Sequence, residues 1–346
     1  MRTRSHMNRI YILLSALTVV LLLANIFIGS VTIPFQSVLH VLFGGEADKS
    51  AWTIIILQSR IPQAWTALLS GAALAVSGLI LQTLFRNPLA DPSILGISAG
   101  ANLGVALVIL STGGILGSMG ALSLLGSLAV IIAAFIGAFV VLILILFFAS
   151  RVRSNVLLLI IGIMIGYIAS SAISFLNFFA TSTHIQSFVL WGMGDFSGVS
   201  SSQIPLFTFV TLAGIVASLL LIKPLNALLL GENYAANLGI RVKQARWMIL
   251  LTAGLLTAVV TAYCGPISFI GLSVPHVARL LLGTSNHKQL LPVTILTGGL
   301  IALLCNLISA MPGHIGVLPL NAITPLIGAP VIIYVIMNRK NIHYFN

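Results

Sequence analysis

Long apolar runs alternate with short polar segments along nearly the whole chain. A helix needs about 20 mainly apolar residues to cross a bilayer. The pattern therefore predicts ten spans, at about residues 9–28, 62–84, 93–110, 121–149, 155–180, 204–222, 246–264, 273–283, 290–310 and 322–338. The eighth is short, so we expect a half-helix after a re-entrant segment near Gly265 and Pro266. Such irregular backbone survives at membrane depth only where protein or water surrounds it.

The composition agrees with an all-α polytopic membrane protein that forms one transmembrane domain over residues 1–346. Hydrophobic residues make up 59% of the chain and charged residues 6%, whereas a soluble domain carries about 25% charged residues. The net charge of +11 would suggest nucleic acid in a soluble protein. Here the basic residues lie between the apolar runs, so we expect no nucleic-acid partner.

The basic residues predict the orientation, because cytoplasmic loops carry an excess of Lys and Arg. With the N-terminus inside, Lys49 and Arg60 lie outside, Arg279 is ambiguous, and both termini are cytoplasmic. Whether translation starts at Met1 or Met7 stays open. The inner segments then hold most of the 16 Lys and Arg residues, namely Arg2, Arg4, Arg9, Arg86, Arg151, Arg153, Lys223, Arg241, Lys243, Arg246, Lys288, Arg339 and Lys340.

A weak internal repeat is visible. Residues 60–64 resemble residues 241–245, and residues 88–96 resemble residues 275–283. Five spans separate the two copies, so the copies must run in opposite directions. Inverted repeats of this kind are common in transporters.

Several chemistries have no signature in the sequence. There is no phosphate-binding loop of the form GxxxxGK[ST], no HExxH or Cys/His metal site and no GxSxG nucleophile elbow. We therefore expect a non-catalytic chain without a bound metal or cofactor. None of the five carboxylates, Glu46, Asp48, Asp91, Asp195 and Glu232, falls in mid-membrane. Ion-coupled carriers usually place ionisable groups there, so an ion-coupled secondary transporter is the weaker alternative.

Two long polar motifs carry a family resemblance. They are Arg-Asn-Pro-Leu-Ala-Asp-Pro at residues 86–92 and Gly-Glu-Asn-Tyr-Ala-Ala-Asn-Leu-Gly at residues 231–239. With residues 60–62, 70–78, 267–276 and 327–330, they resemble the permease subunits of FecCD-type (type II) ABC importers for iron-siderophore, haem or vitamin B12. The residues that we assign to the structural family motif are Arg86, Asn87, Pro88, Asp91, Pro92, Pro275 and His276.

The resemblance implies ten spans, a homodimer with the path along its interface, and a place in the bacterial plasma (inner) membrane. It implies two cytoplasmic ATPase subunits that bind ATP and Mg, and an extracytoplasmic substrate-binding protein. A coupling loop at about residues 223–245 would seat in the ATPase. Its glycines suit a short helix that folds back as a compact knob. The residues expected to contact the ATPase are Gly231, Glu232, Ala235, Leu238 and Gly239.

The chain departs from the family pattern at several positions that usually carry charge. These positions hold Gln63, Asn306, Ala310 and Val317, and Asn321 replaces a glycine. The positive charge expected to meet acidic residues of the binding protein is therefore reduced to Lys49 and Arg60. Because Arg60 starts the second span where positive charge is scarce, we expect it to lie at the outer surface and to pair with a carboxylate of that partner.

Overall fold

The computed structural model describes residues 4–111, 124–152, 154–310 and 318–337, and in these ranges every regular element is a helix. A π-helical stretch, Ile55–Arg60, leads into α4, and a 3-10 turn, Pro92–Leu95, precedes α5. The α-helices are α1 Arg4–Phe27, α2 Phe35–Leu42, α3 Ser50–Ile54, α4 Ile61–Phe85, α5 Ile97–Ser111, α6 Leu124–Arg151, α7 Asn155–Phe179, α8 Ser182–Gly192, α9 Ile204–Leu220, α10 Ile222–Leu229, α11 Glu232–Asn237, α12 Val242–Cys264, α13 Ile270–Leu282, α14 His287–Ser309 and α15 Leu320–Met337.

The all-α prediction is confirmed, and each of the ten predicted spans overlaps a helix. Within the described ranges, six helices are long and apolar enough to cross a bilayer, and a seventh span arises if α9 and α10, bent by 52°, count together. The apolar stretches Ile97–Leu110, Ile270–Leu282 and Leu320–Val335 are shorter. Of the basic residues used for orientation, Arg2, Arg153, Arg339 and Lys340 lie outside the described residues, as does Met1.

The centre of the bundle is α4, which is buried on nearly all sides and packs against α12, α13 and α14. Small side chains allow this close packing, as is usual between membrane helices. A Cβ added to Gly71 would lie 2.2 Å from the carbonyl oxygen of Gly298 on α14. The outer faces of α6 and α7 instead expose large apolar side chains.

The helix contacts agree with an internal repeat. If α4 to α7 correspond to α12 to α15 in order, the contact of α4 with α14 has its counterpart in that of α12 with α6. The contact of α5 with α7 likewise matches that of α13 with α15. One detail of the predicted repeat is wrong: Pro88 lies in a turn between helices, whereas Pro275 lies inside α13. The two prolines therefore do not occupy equivalent positions in the two copies.

The predicted break before the short eighth span is present. Residues 265–269 are not helical, Gly265 has a φ of 72°, and α13 follows with 13 residues. The side chain of Asn321 holds this segment: it accepts a hydrogen bond from the Ser268 amide (3.1 Å) and donates to the carbonyls of Pro266 (2.6 Å) and Gly192 (3.2 Å). The residue that departs from the family glycine thus joins the non-helical segment 265–269, the end of α8 and the start of α15.

Candidate functional site

Two polar segments meet at one end of the bundle, residues 86–96 after α4 and residues 222–241 before α12. A Cβ added to Gly231 would lie 3.6 Å from Nη1 of Arg86. The side chain of Asn155 bridges the last turn of α4 and the segment before α12, because its Nδ2 donates to the Leu84 carbonyl (3.0 Å) and to Oε1 of Glu232 (2.9 Å). We call this the basic end, since it carries Arg86, Arg151, Lys223, Arg241, Lys243 and Lys288.

The expected short helix between turning glycines is present in α11. Gly231 and Gly239 have φ values of 112° and 82°, in the range that favours glycine. At the C-terminal turn the Ile240 amide donates to the Ala235 carbonyl (3.0 Å), and the Gly239 amide donates to the Ala236 carbonyl (2.9 Å). This pair of bonds closes the helix as a Schellman motif. The six-residue helix is therefore held at both ends by backbone geometry.

A charge pair fixes α11 to the membrane helices. Oε1 of Glu232 accepts from Nη2 of Arg246 at 2.9 Å, and the Arg246 side chain is only 8% exposed against 37% for Glu232. Nη1 of Arg246 also donates to the Val152 carbonyl (3.0 Å). With Asn155, the pair ties α11 to α12 and to the start of α7. The sequence placed an acid at the start of a short helix, where its dipole favours one, but it did not indicate these two partners.

The surface of α11 combines a buried anchor with exposed apolar side chains. Ala235 is fully buried, whereas Leu230, Tyr234 and Leu238 are 50%, 50% and 58% exposed. Exposed apolar groups that lie together are a common feature of protein interaction sites. Tyr234 on α11 and the two leucines that flank the helix thus expose apolar side chains in otherwise basic surroundings.

The turn after α4 places Arg86 in an unusual backbone conformation. Its φ is 47°, which is uncommon for a residue with a Cβ. The Asn87 amide donates back to the Gln82 carbonyl (3.1 Å), and Oδ1 of Asn87 accepts from the Leu89 amide (3.0 Å). Backbone of this kind costs of the order of 1–3 kcal/mol and is concentrated at functional sites. The strain lies where this turn faces Gly231.

The rest of the motif joins this turn to α13. Asp91 caps the 3-10 turn that begins at Pro92, accepting from the Ser93 amide at 2.8 Å. Burial raises the pKa of Asp91, and the hydrogen bonds from Ser93 act in the opposite direction. Nε2 of His276 donates to the Pro88 carbonyl at 2.8 Å. The acceptor thus belongs to the facing loop and not to the helix that carries His276.

At the opposite end of the bundle, Arg60 is buried, with 5% of its surface exposed. Nη1 donates to the carbonyls of Ile26 and Phe27, both at 2.9 Å, and Nη2 donates to the Val31 carbonyl. The expectation of an exposed guanidinium is therefore wrong. The last carbonyls of a helix lack intrahelical partners, and Arg60 satisfies those at the end of α1.

Lys49 is exposed, and its ammonium lies 5.0 Å from the ring centroid of Trp52. Two of the departures from the family pattern are partners: Nε2 of Gln63 donates to Oδ1 of Asn306 (3.0 Å), and Nδ2 of Asn306 donates to Oδ1 of Asn25 (2.8 Å). Neutral amides thus link α4, α14 and α1. Ala310 follows the end of α14, and Val317 lies outside the described residues. The docking roles of Lys49 and Arg60 stay predictions.

The bundle of apolar helices, the non-helical break before α13 and the compact helix at the basic end together define a multi-pass membrane permease. Residues 17–338 match the model of the FecCD transport family, and the chain belongs to this family. Its architecture is that of a permease of type II ABC importers. The chain is accordingly an ABC importer permease subunit, and the ion-coupled alternative is set aside.

Relatives support this assignment over most of the chain. The vitamin B12 import system permease protein BtuC of Klebsiella pneumoniae is 35% identical over 297 residues, which is 86% of this chain and 86% of the relative. The protein of the same name from Salmonella typhi is 35% identical over 301 residues, 85% of this chain and 86% of the relative. A solved inward-facing structure, assigned to a metal-chelate type ABC transporter, has a TM-score of 0.81 at 29% identity and covers 96% of this chain and 99% of its own.

Proposed function

We propose that this permease moves a metal chelate, namely an iron-siderophore, haem or cobalamin, into the bacterial cytoplasm. The names of the relatives support this class, since they concern vitamin B12 import and a metal-chelate type transporter. The permease works as a homodimer with two cytoplasmic ATPase subunits and receives its cargo from an extracytoplasmic binding protein. The sequence does not select one chelate, because affinity belongs to the binding protein.

The observation that carries the proposal is the anchoring of α11. Because the sequence has no phosphate-binding loop, the partner subunit binds and hydrolyses ATP with Mg. Movement of the ATPase can be transmitted to the spans only through a rigid contact. The ion pair of Glu232 with Arg246 and the glycine-bounded ends of α11 give such a contact. The exposed Tyr234 and Leu238 supply the surface that enters the ATPase.

The orientation follows from the same end of the molecule. Positive charge in the loops favours the cytoplasmic side, so the basic end faces the cytoplasm and both termini lie there. Single-cysteine labelling in intact cells tests this: residues 231–243 should resist an impermeant reagent, and residues 44–50 should react. The native cysteines, Cys264 and Cys305, are buried and give little background. Labelling of position 232 from outside would contradict the orientation.

The function is tested by reconstitution with the ATPase subunit and the binding protein in vesicles. We expect no ATP hydrolysis by the permease alone. Uptake of the chelate should require ATP on the side of the membrane where the ATPase subunits lie. It should persist when the proton gradient is collapsed. Uptake that follows the gradient and ignores ATP would contradict the proposal. Binding of candidate chelates to the partner protein would then identify the cargo.

A further inference from the structure

A cleft of about 390 Å³ opens at the basic end between the last turn of α6 and the first turns of α12. Its wall is largely apolar. No residue of α11 lines the cleft. Its first lining residue after α11 is Arg241, at the start of α12. The residues that line the cleft are Ala149, Ser150, Arg241, Lys243, Gln244, Arg246 and Trp247.

The charged residues that line the cleft are all basic. Arg246 is held by Glu232, whereas the side chains of Arg241 and Lys243 lie on the exposed rim. No acidic residue is among the lining residues in the described part of the chain. The cleft therefore favours an anionic group at its mouth and an apolar group along its wall.

The position of the cleft identifies what can reach it. The outer face of α6 exposes large apolar side chains down to Phe147, which is 50% exposed and carries the guanidinium of Arg151 at 5.2 Å from its ring centroid. Across the cleft, Trp247 is 45% exposed. Tryptophan and arginine are characteristic of the membrane–water interface. An apolar face that meets a basic rim suits a molecule that combines an apolar chain with a phosphate, as a phospholipid does.

We propose that this cleft binds one anionic phospholipid of the inner leaflet. The phosphate headgroup lies against Arg241 and Lys243, and the glycerol and upper acyl chain follow the wall formed by α6 and Trp247. Basic pockets between membrane helices on the cytoplasmic side bind anionic headgroups in this manner. The bound lipid braces the start of α12, whose Arg246 holds α11.

The test uses the full-length permease in nanodiscs of zwitterionic lipid. Brominated phosphatidylglycerol or brominated phosphatidylcholine is titrated in, and quenching of Trp247 is taken as the difference from the Trp247→Phe variant. Two basic side chains near a surface together give a roughly thirtyfold preference for an anionic lipid. We expect wild-type protein to show a preference of this order. The variant Arg241→Gln/Lys243→Gln should lose most of it.

The matched control is Lys223→Gln/Lys288→Gln, which removes the same charge from exposed positions of the same end outside the cleft. It should keep the preference. Equal loss in the control would overturn the proposal in favour of a diffuse surface potential. Full competition by inorganic phosphate would overturn it in favour of a free-anion site. Unchanged lipid preference with loss of ATPase co-purification in the Arg241→Gln/Lys243→Gln variant would show a protein contact instead.

Discussion

The conformation of Gly239 allows the coupling role of α11 to be tested without touching a side chain. Its φ is 82°, and a Cβ built there meets nothing within 4 Å. A larger residue at this position would therefore clash with no neighbour. Its cost is confined to the backbone, where a left-handed conformation of an L-residue costs about 1–2 kcal/mol, and a β-branched side chain is an outlier there.

Gly239→Val can avoid this cost only by opening the end of α11. Opening breaks the bonds from Ile240 to Ala235 and from Gly239 to Ala236, each worth about 1 kcal/mol. The two costs are similar in size, so the variant should populate both the strained and the opened forms of the loop. We expect normal membrane insertion, with reduced ATPase co-purification or with ATP hydrolysis that no longer drives uptake.

A matched variant separates the effect of the position in the fold from the effect of backbone strain. Gly44 lies at the opposite end of the bundle with a φ of 85°, and a Cβ there also meets nothing within 4 Å. Gly44→Val thus carries the same backbone cost and should assemble fully with the ATPase. Co-purification and ATP-driven uptake in vesicles are measured for both variants. Full assembly and uptake by Gly239→Val, or equal loss of assembly in Gly44→Val, would refute the coupling role.

Three further predictions concern side chains. In a double-mutant cycle of Glu232→Gln and Arg246→Gln, thermal unfolding should give a coupling energy of about 1–2 kcal/mol, because the partial exposure of Glu232 weakens the ion pair. Additive effects of the two substitutions would show that the ion pair does not stabilise the fold. Arg60→Gln should lower the melting temperature by removing charged donors to α1; unchanged melting would contradict this. Asn321→Ala should speed hydrogen exchange of the Ser268 amide, which donates to Asn321; an unchanged exchange rate would show that Asn321 does not hold that segment.

The sequence predicted the features that depend on neighbouring residues. Apolar run length located the spans, and the glycines around 231–239 indicated a short bounded helix, because φ above zero is a local property of the backbone. The break at Gly265 was visible for the same reason. These features require no knowledge of which helices touch.

The contacts that bind the site together were not predictable in this way. Gln63 and Asn306 are 243 residues apart, and each alone appeared only as a missing charge. Glu232 and Arg246 have opposite charges, but their spacing does not show that they face each other. Arg60 was expected at the surface because positive charge is scarce on that side. Its actual acceptors are backbone carbonyls of α1, which carry no sequence signal.

The polar contacts of α1 have a consequence for the order in which the protein is made. Most of α1 faces away from the bundle, yet Asn25 bonds the Leu303 carbonyl and Asn306, and Tyr11 bonds the Gln289 carbonyl. All three acceptors and donors belong to α14, which leaves the ribosome far later than α1. During synthesis α1 therefore enters the membrane before these partners exist, with Asn25 keeping only its bond to the Leu21 carbonyl of α1. Its docking on α14 can follow only after most of the chain has been made.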